Sequence, residues 1–438
     1  MHRLDTCLKS AQDFFPGGGR GVGVRPERVV VLHDFSEVLG GASHLVQVLI
    51  GQLRARGIPV TFIAGDTGTH FTREDVAFVP LGGKDLLARS RPGALALGLH
   101  NPVTLRSVRE WIAMYDAPGT IYHLHGWSKV LSPSVFAALK PVARRLVLHA
   151  HDYFNACPNG GFFDYREERD CELKPLSRAC LVRRCDKNSQ AQKLWRVGRE
   201  ALRRHWLDGV SNAARLLLIH PGQARLFQQG GWPEDRLHAV RNPVTPPCQA
   251  RVRAEANCGV LFLGRISREK GADLAALAAK EAGVPITFVG EGADESALRA
   301  LHPGARFLGR LDRDGVAQAM AEARVAVMPS RWSEPFGLVA LEAIGSGLPV
   351  IASARALVGP EIAEAGFGLA LDTADITQFA AGIAKLHADD ALVRQFSEAG
   401  RAHYRDLCHG PESWAEAVLD HYGQVLRQSW DLGAATPG

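Results

Sequence analysis

Residues 28–35, RVVVLHDF, form a short apolar run that ends abruptly in His33 and Asp34. Runs of this kind return along the chain: PVTFIAG, TIYHLHG and RLVLHAHD first, then GVLFLG, PITFVGEG, RVAVMPS and LPVIASA. They are continuous rather than alternating, the pattern of parallel strands covered on both faces. Between them lie stretches with apolar residues at helical spacing, such as SHLVQVLIGQLRARG. Strands alternating with helices predict an α/β chain. The alternation breaks at the proline-rich polar stretch LHAVRNPVTPPCQARVRAEAN, and so predicts two doubly wound, Rossmann-like units. The expected division is a flexible leader over 1–27, a first domain over 28–245 with a cysteine-bearing insertion at about 155–190, a second over 256–408, and a closing helix and tail over 409–438. Ligands of such folds bind at the carboxyl ends of the strands.

The 438 residues exceed one ordinary core, which agrees with two units. A formal charge of +5 is compatible with an anionic ligand or a membrane surface and is too weak to argue for nucleic acid. No apolar run approaches the roughly 20 residues of a membrane span. The opening MHRLDTCLKSAQDFFPGGGRGVG lacks a signal peptide's apolar core, which predicts a cytoplasmic protein with reduced thiols.

Two motifs are discounted. The glycines of PGGGRGVG precede the first strand, whereas a dinucleotide fingerprint sits between strand and helix. Asp312 and Asp314 in LDRD resemble a metal-binding pair, but aspartate just before a helix is a common N-cap.

Several strand ends of the second half carry polar chemistry. FLGRISREKG has Gly264, Arg265 and Lys270 where a strand turns into a helix, a setting for an anion. VGEG supplies Gly290, Glu291 and Gly292, with glycines that permit close backbone approach to a ligand. PSRWSEPFGLVALEAIG sets Glu334 before a helix start and Glu342 within the helix, with the amides of Phe336, Gly337 and Leu338 as free donors. Each feature alone reads as a solvated loop, a cap or an ion pair. Together they fit a diphosphate held by cations and a helix dipole, with sugar and ribose hydroxyls held by carboxylates.

GRISREKG, VGEG, MPSRWSEPFGLVALEAIGSGLPVIAS and the earlier VRNPV resemble glycosyltransferase family 4, retaining enzymes of the GT-B fold, over roughly residues 28–425. The resemblance implies two Rossmann-like domains facing across a cleft. It implies that Arg265 and Lys270 hold the donor diphosphate in place of a metal, that Glu342 holds the ribose, and that Glu334 lies by the transferred sugar. The Phe336–Leu338 amides would contact sugar or phosphate. No catalytic metal is expected.

On the same resemblance the first half is the acceptor side. Gly40 and Gly41 fit the family's glycine pair, while Ser43 stands where the family often has glutamate. His125 in YHLHGW matches the active-site histidine, and His151 with Asp152 in HAHDYF would line the acceptor pocket. Without the resemblance, a lone strand-end histidine such as His125 is more often structural. The closing helix would cross back to the first domain. Expected partners are a nucleoside-diphosphate sugar and a saccharide or lipid-linked saccharide, in cell-surface polysaccharide or glycolipid synthesis.

Two readings stay open on both remaining segments. Cys157, Cys171, Cys180 and Cys185 are either a structural zinc site or reduced thiols pinning a loop. KLWRVGREALRRHWL, with Trp195 and Trp206 among basic residues, is either a packed surface helix or a peripheral contact with the inner face of the membrane. The rivals are a GT-B sugar-nucleotide epimerase, a tandem-Rossmann oxidoreductase, for which HDFSEVLGG offers no glycine fingerprint, and a non-catalytic scaffold.

Overall fold

The computed structural model describes residues 24–88, 90–207 and 214–434. The glycines of PGGGRGVG, and most of the expected leader, lie outside the described residues. The chain forms two compact units. One comprises the chain up to Gly160, Glu172–Val240 and the segment from Pro411; the other comprises Gly161–Cys171 and Arg241–Gly410.

The first unit is built on β1 (Arg28–His33), β2 (Val60–Ala64), β3 (Ala77–Pro80), β4 (Thr120–Leu124), β5 (Leu146–Ala150), β8 (Arg215–Leu218) and β9 (Leu237–Ala239). Their order is β3-β2-β1-β4-β5-β8-β9, and every pairing is parallel. The continuous apolar runs are explained by burial: Val29, Val30, Val31 and Leu32 of the interior strand β1 have no exposed surface. The helix Gly41–Ala55 buries Leu45, Val46, Leu49, Ile50 and Leu53, one face at helical spacing. The last helix, Pro411–Ala434, belongs to this unit and buries Trp414 and Tyr422 completely.

The second unit is a six-stranded parallel sheet of β10 (Gly259–Leu263), β11 (Ile286–Val289), β12 (Arg306–Phe307), β13 (Ala323–Met328), β14 (Val350–Ser353) and β15 (Gly368–Leu371). The order is β12-β11-β10-β13-β14-β15. Two boundaries differ from the sequence expectation. Part of the expected insertion, the antiparallel hairpin β6 (Phe163–Asp164) and β7 (Arg169–Asp170), clusters with this unit. Glu168 at its turn reaches Arg268 at 2.5 Å and Arg331 at 3.2 Å. The proline-rich stretch is no free linker either. The second unit begins at Arg241, and Val244 N–H donates to the carbonyl of His409 at 2.9 Å.

The helix Gln190–Leu207 has the packing expected of the first reading of this segment, a surface helix with one face against the fold. Its basic residues face inward: Lys193, Arg199 and Arg203 are buried, while Leu194 is half exposed. Arg199 donates to the carbonyls of Gly98 at 2.9 Å and Ser128 at 2.6 Å, with its guanidinium 4.7 Å from the Trp195 ring and 5.3 Å from that of Trp127. Trp195 is thus a packing residue, its ring N–H donating to the carbonyl of Leu95. Arg199→Ala is expected to destabilise the first unit by about 2–3 kcal/mol, because two carbonyls lose their donor and two rings their cation. Urea denaturation checks this; an unchanged midpoint contradicts it.

The cysteine segment centres on a lysine. Lys193 Nζ donates to Cys185 Sγ at 3.0 Å and to the carbonyl of Cys180 at 2.9 Å, and Asn159 Nδ2 donates to the same sulfur at 3.2 Å. Burial works against the Lys193 charge, but the hydrogen bond and field of Cys185, with the fields of Cys180 and Cys157, outweigh it and raise its pKa. Among the described residues, the set of metal-binding side chains whose ligand atoms converge is a group of histidines, not these thiols.

Candidate active site

In the second unit, two strand ends deliver the polar residues. After β10 the chain passes Gly264 and Arg265 into a short 3-10 turn, Arg268–Lys270, before the helix Ala272–Glu281. After β13 it runs through Pro329–Phe336 into the helix Leu338–Gly345. Gly337 adopts φ 73° at the head of that helix, a left-handed turn that favours glycine, and no side chain caps it. Glu334 is therefore not a cap. It accepts from Lys270 Nζ at 2.5 Å and from the Ser330 hydroxyl. Burial alone would raise the Glu334 pKa, but the charge and hydrogen bond of Lys270, the Ser330 hydroxyl and the Arg265 charge together hold it below the usual carboxylate range. Arg265 itself is largely exposed and lies 3.8 Å from Glu269.

Glu342 is in the opposite state. Burial pushes its carboxyl up to about 7, with only the Arg313 charge acting against it. Among the described residues it has no ion pair. An acid held this way keeps acceptor capacity for hydroxyl groups.

The loops are fixed by a residue that the sequence did not mark. Arg331 is buried and donates both ends of its guanidinium to Asp273, at 2.6 and 2.7 Å, and to the carbonyl of Arg268 at 2.7 Å. This bidentate bond ties the loop of Glu334 to the turn of Lys270. Gly290 and Gly292 serve the same assembly rather than making room for a ligand at their α-carbons. A Cβ on Gly290 would stand 2.0 Å from the carbonyl oxygen of Gly264, and one on Gly292 1.9 Å from that of Ile266. The first strand-end loop fills that space. Glu291 between them is exposed. Phe336 is buried. Asp312 caps the helix Arg313–Ala321, accepting from Gly315 N–H at 2.9 Å, as expected of an aspartate there.

In the first unit, Gly40 and Gly41 are exposed at the head of the helix Gly41–Ala55, with nothing within 4 Å of a Cβ at Gly40. Ser43, the departure from the family's glutamate, reaches His33 Nε2 at 3.4 Å. His125 Nδ1 lies 2.9 Å from His151 Nε2. Burial, reinforced by neighbouring imidazoles, holds both well below the usual imidazole range. Burial likewise lifts Asp152 to about 6, although it accepts from Phe154 N–H at 2.9 Å. His123 hydrogen-bonds Tyr422 and His149. The sequence alone assigns no role to His33, Asp34 or His149. Asp34 accepts from the consecutive amides of Lys129, Val130 and Leu131 and so holds the loop after β4.

Residues 253–403 match the family described as Glycosyl transferases group 1. Most of the second unit is similar to this family. Lys270, Glu334 and Glu342 all lie inside the matched segment. The glycogen synthase of Mycobacterium tuberculosis (strain CDC 1551 / Oshkosh) is 30% identical over 201 residues, which cover 42% of this chain and 45% of that protein. The chain thus spans about half the length of such relatives. The structure of a sucrose-phosphate synthase from Thermosynechococcus elongatus is similar with a TM-score of 0.67 at 19% identity, covering 93% of this chain and all of that one. Anabaena HepE in complex with UDP gives 0.63 at 15%, covering 91% of this chain and all of that one. At such identities the likeness concerns the fold, which is GT-B with two Rossmann-like units. Within the matched segment, a cation bonded to a carboxylate at an uncapped helix start can stabilise negative charge, while a partly buried glutamate without an ion pair can accept from hydroxyls.

Proposed function

We propose that the protein is a retaining glycosyltransferase that moves a sugar from a nucleoside-diphosphate sugar to a glycan or lipid-linked saccharide. The observation that carries this reading is the Lys270–Glu334–Ser330 cluster at the head of the helix Leu338–Gly345, inside the segment that matches the group 1 family. On binding, the donor diphosphate takes over Lys270, with Arg265, the Phe336–Leu338 amides and the helix dipole completing its neutralisation. Glu334, released from Lys270, accepts from a hydroxyl of the transferred sugar. Glu342 accepts from the ribose. Gly264 and Glu291 line the same side. HepE, whose structure is described as a complex with UDP, supports a nucleotide in such a fold. In the first unit, Gly40, Gly41, His125, His151 and Asp152 serve the acceptor side. A role in cell-surface polysaccharide or glycolipid synthesis at the inner face of the membrane follows from the acceptor class.

The test is transfer measured against a panel of nucleoside-diphosphate sugars in the presence of EDTA, with the anomeric configuration of the product read by NMR. Turnover in EDTA with retained configuration is expected, since cations of the chain neutralise the leaving group. An inverted product, or turnover abolished by EDTA and restored by magnesium, contradicts it. Isomerised nucleotide sugar with no acceptor glycosylated would mark an epimerase instead.

The raised carboxyl of Glu342 adds a pH dependence. Only the ionised form offers both oxygens to the ribose, so donor affinity should fall as pH drops through about 7. Between pH 8 and pH 6 the donor Kd should rise about tenfold, and in Glu342→Gln it should be weaker and flat across this range. Calorimetric titration with donor checks this; an unchanged slope in the variant contradicts it.

A further inference from the structure

Strand order gathers five histidines on one face of the first sheet. β4 and β5 are parallel neighbours, with His123 opposite Val147 and Leu124 opposite Leu148. Each strand runs into a His-x-His, His123/His125 and His149/His151, and residues two apart on a strand point to the same face. His33 joins from β1 on the other side of β4. The rings are in contact: His123 and His125 have centroids 4.0 Å apart, His125 and His149 5.0 Å, and His123 and His149 5.3 Å.

This packing is poorly satisfied as it stands. Nδ1 of His33, Nε2 of His125, Nε2 of His149 and Nδ1 of His151 are buried without a hydrogen-bond partner. Each such atom costs about 1–3 kcal/mol. The transfer chemistry proposed above uses neither His123 nor His149.

One ring nitrogen from each of His123, His125 and His149 lies within 4.8 Å of the other two. His123 Nε2 and His149 Nδ1 are 3.3 Å apart. That is about the spacing of two nitrogens on a tetrahedral ion with bonds of about 2.0–2.1 Å. Tyr422 Oη is 2.6 Å from His123 Nδ1 and can accept its N–H, which leaves the Nε2 lone pair facing His149. His125 keeps Nε2 for the same purpose, because its Nδ1 is engaged by His151. A set made of imidazoles alone suits zinc, cobalt, nickel or copper and not the oxygen-seeking magnesium or calcium.

We propose that His123, His125 and His149 bind one first-row transition-metal ion of the Zn2+ and Co2+ kind, with Tyr422 as the residue that fixes the tautomer of His123. The site lies in the first unit and does not rest on the donor reading. The His149 ring lies within about 21° of parallel to His123 and His125, so loading tilts the rings about χ2, a broad torsion for histidine.

The test uses the full chain without a histidine tag, stripped of metal and titrated with Co2+. The expected result is about one ion per chain, with the visible d–d bands of tetrahedral cobalt on nitrogen ligands, displaced by Zn2+. His149→Gln should lose binding at least 100-fold. Tyr422→Phe, which keeps the ring and the packing, should weaken it about 10–100-fold, and it carries the test should His149→Gln fail to fold. Cys180→Ser/Cys185→Ser should bind cobalt as the parent does. Absence of d–d bands, a thiolate-to-cobalt charge-transfer band lost with those cysteines, or unchanged affinity in both the His149 and Tyr422 variants would overturn the proposal.

Discussion

Replacing Lys270 with alanine should lower kcat for sugar transfer by about 10²–10³, with a smaller effect on donor Kd. Negative charge grows on the leaving diphosphate as the glycosidic bond breaks, so a cation beside it is worth more in the transition state than in the bound donor. Lys270 is poised for this role, because its 2.5 Å bond to Glu334 fixes it at the helix head. The variant also strips a buried carboxylate of its main partner, and Glu334 then takes up a proton more readily. Lys270→Arg restores charge but not shape, and should recover only part of the rate. Steady-state kinetics with a saturating donor decide the matter. A kcat within threefold of the parent would show that another group neutralises the leaving diphosphate.

Arg331→Ala should be the most damaging substitution for stability, at about 2–4 kcal/mol in the second unit. The guanidinium is buried, makes both of its parallel bonds to Asp273, and holds the Arg268 carbonyl. Its loss leaves Asp273 without its close partner and frees the turn of Lys270 from the loop of Glu334. Arg331→Lys should recover little, since an ammonium cannot make the paired contact. Activity should fall together with stability, because both active loops lose their tie. Urea denaturation followed alongside kcat separates the two effects. A loss below about 1 kcal/mol, or full stability in Arg331→Lys, contradicts this role.

The continuous apolar runs carried the two parallel sheets, because a strand covered on both faces buries successive side chains, as Val29–Leu32 of β1 do. The residues proposed to hold the donor stand out as a set, since glycines, cations and glutamates recur where strands of the second unit end. The reason for each was less legible. Gly290 and Gly292 read as space for a ligand, yet their missing side chains are needed by the neighbouring loop's carbonyls. Glu334 read as a cap or a sugar contact, and its bond to Lys270 spans 64 positions that no local pattern connects. Arg331 was invisible for the same reason. The basic helix was ambiguous in composition: Lys193, Arg199 and Arg203 find carbonyl, thiol, carboxylate and ring partners inside the fold, which residue types alone do not reveal. The histidine face did leave a signal, a His-x-His at each of two successive strand ends. It takes the strand order to show that these strands are neighbours.

Hydrogen–deuterium exchange of the full chain with saturating nucleoside-diphosphate sugar tests the central claim most directly. Binding at the proposed site should slow exchange at the turn around Arg268–Lys270 and at the head of the helix Leu338–Gly345. Lys270→Ala and Glu342→Gln should reduce that protection at equal donor concentration. Protection confined to the first unit, or undiminished in both variants, would contradict the assignment of the donor to this helix head.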